Sequence, residues 1–140
     1  MRLDRALIWL HVTGNIFWIG ALAAVAFVML SNVGEAKWRG ELALKIYLSL
    51  AVPAFVVSFM TGFSRLLMDT GLYLKQPWMH AKLLFAVIAI ALHHVIGGRA
   101  KKMQSGAVSD AGPTKALLGV FALSAVLAAF FVVMQVPGRG

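Results

Sequence analysis

Apolar and polar positions alternate along this chain in long blocks. Four apolar runs, about Ala6–Leu30, Ile46–Met68, Trp78–Gly98 and Lys115–Val136, are separated by short polar segments. Each run approaches or exceeds the ~20 residues needed to cross a hydrocarbon core ~30 Å thick. Four transmembrane helices follow. Ser31–Lys45 reads as a polar loop, because Asn32, Gly34, Glu35, Lys37, Arg39, Gly40 and Glu41 supply turn formers and charge of both signs. Asp69–Pro77 and the basic stretch from Arg99 to Thr114 are the other connections. Connections this short predict antiparallel neighbours, hence an all-α integral membrane protein. It forms one domain over residues 1–140, an up-down four-helix bundle. Pro53 should kink the second helix, which a packed bundle tolerates. The first run continues unbroken to Leu30 and is expected to be a span, not a cleaved signal.

Polar positions inside the runs narrow the picture. His11, Asn15, Trp18 and Leu22 fall at i, i+4, i+7 and i+11, one face of a helix. Ionisable groups at membrane depth are costly, so this face should point into the bundle. Ser58, Thr61 and Arg65 share a face of the second span, with Asp69 placed for an i,i+4 pair with Arg65. The third span opens Trp78-Met79-His80-Ala81-Lys82 and carries His80, Leu84, Val87, Ala91 and His94 along one face. Lys82 and His93 point elsewhere. An up-down order puts His11, Arg65, His80 and Lys82 at one end of the bundle, with His93 and His94 roughly 20 Å away at the other. His93-His94 therefore reads as a solvated helix-end pair ahead of the basic residues Arg99, Lys101 and Lys102. The basic residues that flank this far end incline it towards the cytoplasm.

Composition agrees with a multi-pass protein of the cell membrane. The 140 residues are 61% hydrophobic and 13% charged, against about 45–50% and 25% in soluble domains. The net charge of +8 sits between the spans, where it serves topology and anionic headgroups, so nucleic acid is not an expected partner. The absence of cysteine excludes disulfides, iron–sulfur clusters, thiolate-ligated haem and covalent haem attachment. No intramembrane carboxylate accompanies the histidines, which argues against a tetrahedral or dinuclear metal site. Two imidazoles facing each other across a bundle suit axial ligation of a haem iron. That assigns His11 and His80 as metal ligands, with Arg65 placed for a propionate and Asn15 and Trp18 beside the ring.

These residues resemble a family. Leu10-His11-Val12 through Phe17-Trp18-Ile19-Gly20-Ala21-Leu22 is similar to the opening span of the HemJ-type membrane proteins and of the wider group that includes CopD-like four-helix proteins. Trp78-Met79-His80-Ala81-Lys82-Leu83, followed by His93-His94 and Gly97, resembles their third span, and Pro53-Ala54 with Gly62 their second. The resemblance implies a b-type haem between helices and, for HemJ, oxidation of protoporphyrinogen IX to protoporphyrin IX. His11 then matches the family's essential histidine and Lys82 its third-span lysine, both as catalytic residues. Ala23–Asn32 and Thr114–Gly138 depart from the family's usual endings of the first and last spans. The function so implied is protoporphyrinogen IX oxidation or membrane electron transfer. The alternatives are CopD-like metal handling and a non-catalytic accessory subunit of a larger membrane complex. Implied partners are the lipid bilayer, haem or porphyrin, and either a second copy of the chain or other membrane subunits.

Overall fold

The structure is a computed structural model that describes residues 2–133. Five helices follow in order: α1, Leu3–Leu30; α2, Ala36–Met68; the short α3, Thr70–Tyr73; α4, Pro77–Gln104; and α5, Thr114–Val133. There are no strands among the described residues. Four of the helices are long and apolar enough to cross a membrane. The protein is thus all-α and multi-pass. The expected end of the last span at Val136, with Gln135, Pro137-Gly138 and Arg139 around it, lies outside the described residues.

Consecutive long helices pack on one another, and residue numbers fall along one as they rise along the next. Gly14 and Trp18 of α1 meet Ser58 and Phe55 of α2. Gly40 and Tyr47 of α2 meet Met103 and Gly97 of α4. Phe85 of α4 stacks on Phe131 of α5 with ring centres 6.0 Å apart. Lipid tails are as apolar as leucine, so helices in a bilayer associate by close packing and interhelical hydrogen bonds rather than by expelling water. The small residues at these crossings suit that demand. The core is Trp18, Leu22, Val25 and Met29 of α1 set against Tyr47, Ala51, Ala89, Ile96 and Phe121. Large apolar side chains such as Phe27, Val87 and Val126 point outward, as lipid-facing residues do.

Two segments expected to be loops are helical. α2 begins at Ala36, so the loop after α1 shrinks to a short turn around Gly34. α4 runs on through Arg99, Lys101 and Lys102 to Gln104. Polar composition hides a buried stripe in each: Gly40, Ala43 and Tyr47 on α2, and Ile96, Ala100 and Met103 on α4, spaced to lie on one face. The charges sit on the opposite faces. These extensions continue the α2–α4 contact beyond the expected spans.

Pro53 acts differently from a simple kink. Residues Tyr47–Ala51 just before it are wound as a π-helix, in which the Val52 N–H reaches back to the Tyr47 carbonyl. Proline cannot donate to the ladder, and its ring crowds the preceding turn. The wider π turn absorbs that crowding, and such bulges recur where a helix must re-aim a side chain. Here the re-aimed side chain is Tyr47, which points into the bundle.

Candidate functional site

The inward face of α1 is the expected one: Gly14, Trp18, Leu22, Val25 and Met29 are buried along it. His11 lies at its outer end, half-buried, and is fixed by a closed ring of hydrogen bonds. Its Nδ1–H donates to the Ser58 carbonyl at 2.8 Å, and Asn15 Nδ2 donates to its Nε2 at 3.2 Å. Ser58 Oγ donates to Asn15 Oδ1 at 2.5 Å. Gly62 makes the seat possible. A Cβ at that position would fall 2.6 Å from His11 Cε1, closer than non-bonded carbons approach. The α1–α2 crossing is therefore built around the imidazole.

Lys82 of α4 lies within electrostatic reach of both His11 and Arg65. Arg65 does not form the expected pair with Asp69. Its guanidinium carbon sits 5.9 Å from the centre of the Tyr73 ring. Asp69 instead accepts from Leu72 N at 3.2 Å and caps α3. The carboxylate is drawn to the unpaired N–H groups of a helix start. Among the described residues, neither Arg65 nor Lys82 has a carboxylate partner. Two half-buried cations and a histidine thus share one end of a membrane bundle.

His80 is at this same end but turned outward. The face His80, Leu84, Val87, Ala91 and His94 is exposed throughout, so His80 does not face His11 across the bundle as expected. Met79, Ala89, His93, Ile96 and Ala100 face inward instead. The reason lies in the packing. The inward face needs small residues and a hydrogen-bonded histidine, whereas Leu84 and Val87 are better placed in lipid. His80 Nε2–H donates to the Leu74 carbonyl at 2.8 Å, and no hydrogen bond joins it to His11 among the described residues.

His93 is the second correction. It has no exposed surface and stands mid-helix, because α4 continues eleven residues beyond it to Gln104. Trp18 Nε1–H donates to His93 Nδ1 at 3.0 Å. Indole can only donate, so Nδ1 carries the lone pair and the neutral ring bears its proton on Nε2. That N–H donates to Tyr47 Oη at 3.1 Å. Phe55 stacks on the ring with centres 4.9 Å apart, and Phe121 closes the cluster edge-on to Trp18. Three helices meet at this imidazole, and α5 joins the cluster through Phe121 against Trp18. Both of its nitrogens are occupied, so it is built as a structural pin rather than as an open ligand. His94, its neighbour, is exposed as expected.

The donor set at His11 fits an axial ligand. A ligating histidine commonly gives its other N–H to a backbone carbonyl, which fixes the tautomer and raises ligand basicity. The His11–Ser58 bond does this and leaves Nε2 with its lone pair held only by the amide of Asn15, one turn away on the same helix. His80 would have to leave the Leu74 carbonyl before its Nε2 could ligate. Groups of three or more His, Cys, Asp or Glu side chains placed to hold a bare metal ion are absent among the described residues.

Comparison with known proteins adds one relative. The chain is similar to the protoporphyrinogen IX oxidase of Helicobacter pylori (strain ATCC 700392 / 26695). The two are 29% identical over 89 residues, 59% of this chain and 60% of that protein. This chain thus covers less than two thirds of the relative's length. No protein-family model matches it, and no solved structure does. Serine 58, Gly62 and Tyr47 complete the two histidine sites. Ser58 was visible in sequence only as a polar position on the Arg65 face. Gly62 was marked only by the resemblance of its span, and Tyr47 gave no sign of its role.

Proposed function

We propose that this chain is a HemJ-like membrane protein that binds a tetrapyrrole, b-type haem or its porphyrin precursor, where α1, α2 and the start of α4 meet. The observation that carries this is the grouping of His11, with its tautomer set by Ser58, beside Arg65 and Lys82, two half-buried cations without carboxylate partners. A tetrapyrrole with propionate side chains calls for such a set: one basic nitrogen for the centre and cations for the carboxylates. Asn15, which donates to His11 Nε2, would have to release that nitrogen for a ligand to be held there. Trp18 is fixed one turn deeper and forms the floor of the site. His80 faces outward and would have to turn inward and leave the Leu74 carbonyl to serve as a second ligand. When bound, the haem provides one-electron redox chemistry. Where the porphyrin precursor occupies the site in place of haem, His11 and Lys82 would touch it in the oxidation of protoporphyrinogen IX, the activity named for the relative, with the electrons passing to an external acceptor. The metal-handling alternative needs histidines free along a path, and His93 is committed to Trp18 and Tyr47.

Membranes from cells lacking their own protoporphyrinogen oxidase provide the test. Expression of this chain should restore fluorescent porphyrin, whereas His11→Ala and Lys82→Gln should not. A haem-loaded protein that yields no porphyrin would assign the bundle to electron transfer instead.

A further inference from the structure

The opposite end of the bundle holds a cleft of about 460 Å³ between the end of α1, the start of α2 and the loop that precedes α5. Ser31, Asn32, Arg39, Ser109 and Asp110 supply its polar groups. Arg39 is the decisive one. Its Nη1 donates to the Gly34 carbonyl at 2.6 Å, which aligns the guanidinium. Gly34 has φ of 69°, a conformation that favours glycine, and a Cβ there would meet Trp38 at 3.2 Å. The turn is thus shaped to offer that carbonyl. Arg39 Nε is the one buried side-chain nitrogen or oxygen without a hydrogen-bond partner among the described residues. With Nη1 occupied, the Nε–Nη2 edge remains, and this edge matches two oxygens of a phosphate.

The surroundings favour an anion at headgroup depth. Lys37, Arg39, Lys45, Arg99, Lys101, Lys102 and Lys115 cluster at this end against Glu35, Glu41 and Asp110. Asp110 is already neutralised: Arg99 donates to its carboxylate at 2.7 Å, and so does Gly112 N–H. Phe27 and Leu30, in the last turn of α1 leading up to the cleft, are exposed, with Phe27 at 75%. An acyl chain finds its apolar contact there, which free phosphate does not need.

We propose that this cleft binds the phosphate of an anionic glycerophospholipid, with Arg39 as its bidentate anchor and Asn32 and Ser109 completing the contacts; the Ser31 hydroxyl is spent on the Val28 carbonyl. Basic clusters beside membrane helices attract anionic lipid through charge alone. Here a shaped cleft and an unpaired guanidinium edge add a specific seat. The site is independent of the tetrapyrrole reading.

The full chain in detergent should be titrated with short-chain phosphatidylglycerol, phosphatidylcholine of the same chain length, and inorganic phosphate, with thermal unfolding as the readout. Phosphatidylglycerol should raise the melting temperature saturably, with at least tenfold tighter apparent affinity than either other probe. Arg39→Gln should weaken it at least tenfold. Arg39→Lys keeps the charge and can still reach the Gly34 carbonyl but loses the fork, and it should weaken binding similarly. If Arg39→Gln fails to fold, Asn32→Ala/Ser109→Ala, which spares the Gly34 contact, should still lower affinity severalfold. Equal binding by Arg39→Lys and the native chain, or by the Asn32/Ser109 pair and the native chain, would overturn the proposal. Equal saturation by inorganic phosphate would assign the cleft to free phosphate and overturn the lipid.

Discussion

The indole N–H of Trp18 donates to Nδ1 of His93 across 3.0 Å, in the centre of the bundle and with no exposed surface on the imidazole. One hydrogen bond therefore ties α1 to α4 and dictates which nitrogen of His93 carries the proton. Tyr47 of α2 receives that proton's hydrogen bond, so three spans share one neutral ring. Buried polar groups of this kind stabilise only when every member is satisfied.

His93→Leu leaves the Trp18 N–H without an acceptor and Tyr47 without its donor. Thermal or denaturant unfolding in detergent should register a loss of about 3 kcal/mol. His94→Ala, at the neighbouring exposed position, should change stability by no more than about 0.5 kcal/mol. Similar losses for the two variants would contradict the assignment of His93 as the pin.

Gly97 gives an independent reading of the same cluster. A Cβ at this position would overlap the Cζ end of the Tyr47 ring, whereas one on Gly98 meets nothing within 4 Å. Gly97→Ala should destabilise by about 1–3 kcal/mol through overpacking, and Gly98→Ala should be nearly silent. Tyr47→Phe keeps the ring but leaves the buried His93 N–H without its acceptor, and it should cost about 1–3 kcal/mol. Melting curves of the three variants make the comparison.

At the other end, Gly62→Ala should push the His11 ring off the Ser58 carbonyl while leaving the rest of the bundle folded. The expected outcome is a severalfold weaker retention of haem with helix content unchanged by circular dichroism. Gly20→Ala, with open space around its Cβ position, should retain haem as the native chain does.

Lys82→Gln and Arg65→Gln test the role of the unpaired cations. Each should weaken haem binding about tenfold, close to 1.4 kcal/mol. Haem dimethyl ester lacks carboxylates, so its binding should be the same for the native chain and both variants. Equal losses with haem and with its ester would assign the cations to packing.

The fold was largely legible in sequence, because four apolar runs of spanning length admit few other structures. The His11–Asn15–Trp18 face followed from period alone. What escaped has a physical cause in each case. The outward turn of His80 escaped because Leu84 and Val87 on its face are as suited to lipid as to a core, so period does not distinguish inside from outside in a membrane helix. His93 was assigned to a helix end because the polar run from Arg99 to Gln104 masks the buried stripe of Ala100 and Met103. The turn that brings Tyr47 to His93 depends on the π winding before Pro53, which no spacing rule anticipates. The expected Arg65–Asp69 pair lost to a local competitor, the unpaired N–H groups at the start of α3.

The most direct test of the tetrapyrrole site is the absorption spectrum of the protein purified from cells supplied with haem. The native chain should show a Soret band with the split visible bands of a six-coordinate b-type haem. His11→Ala should lose it, and His94→Ala should keep it. A native protein without a Soret band, or a band undiminished in His11→Ala, would contradict the site proposed at His11.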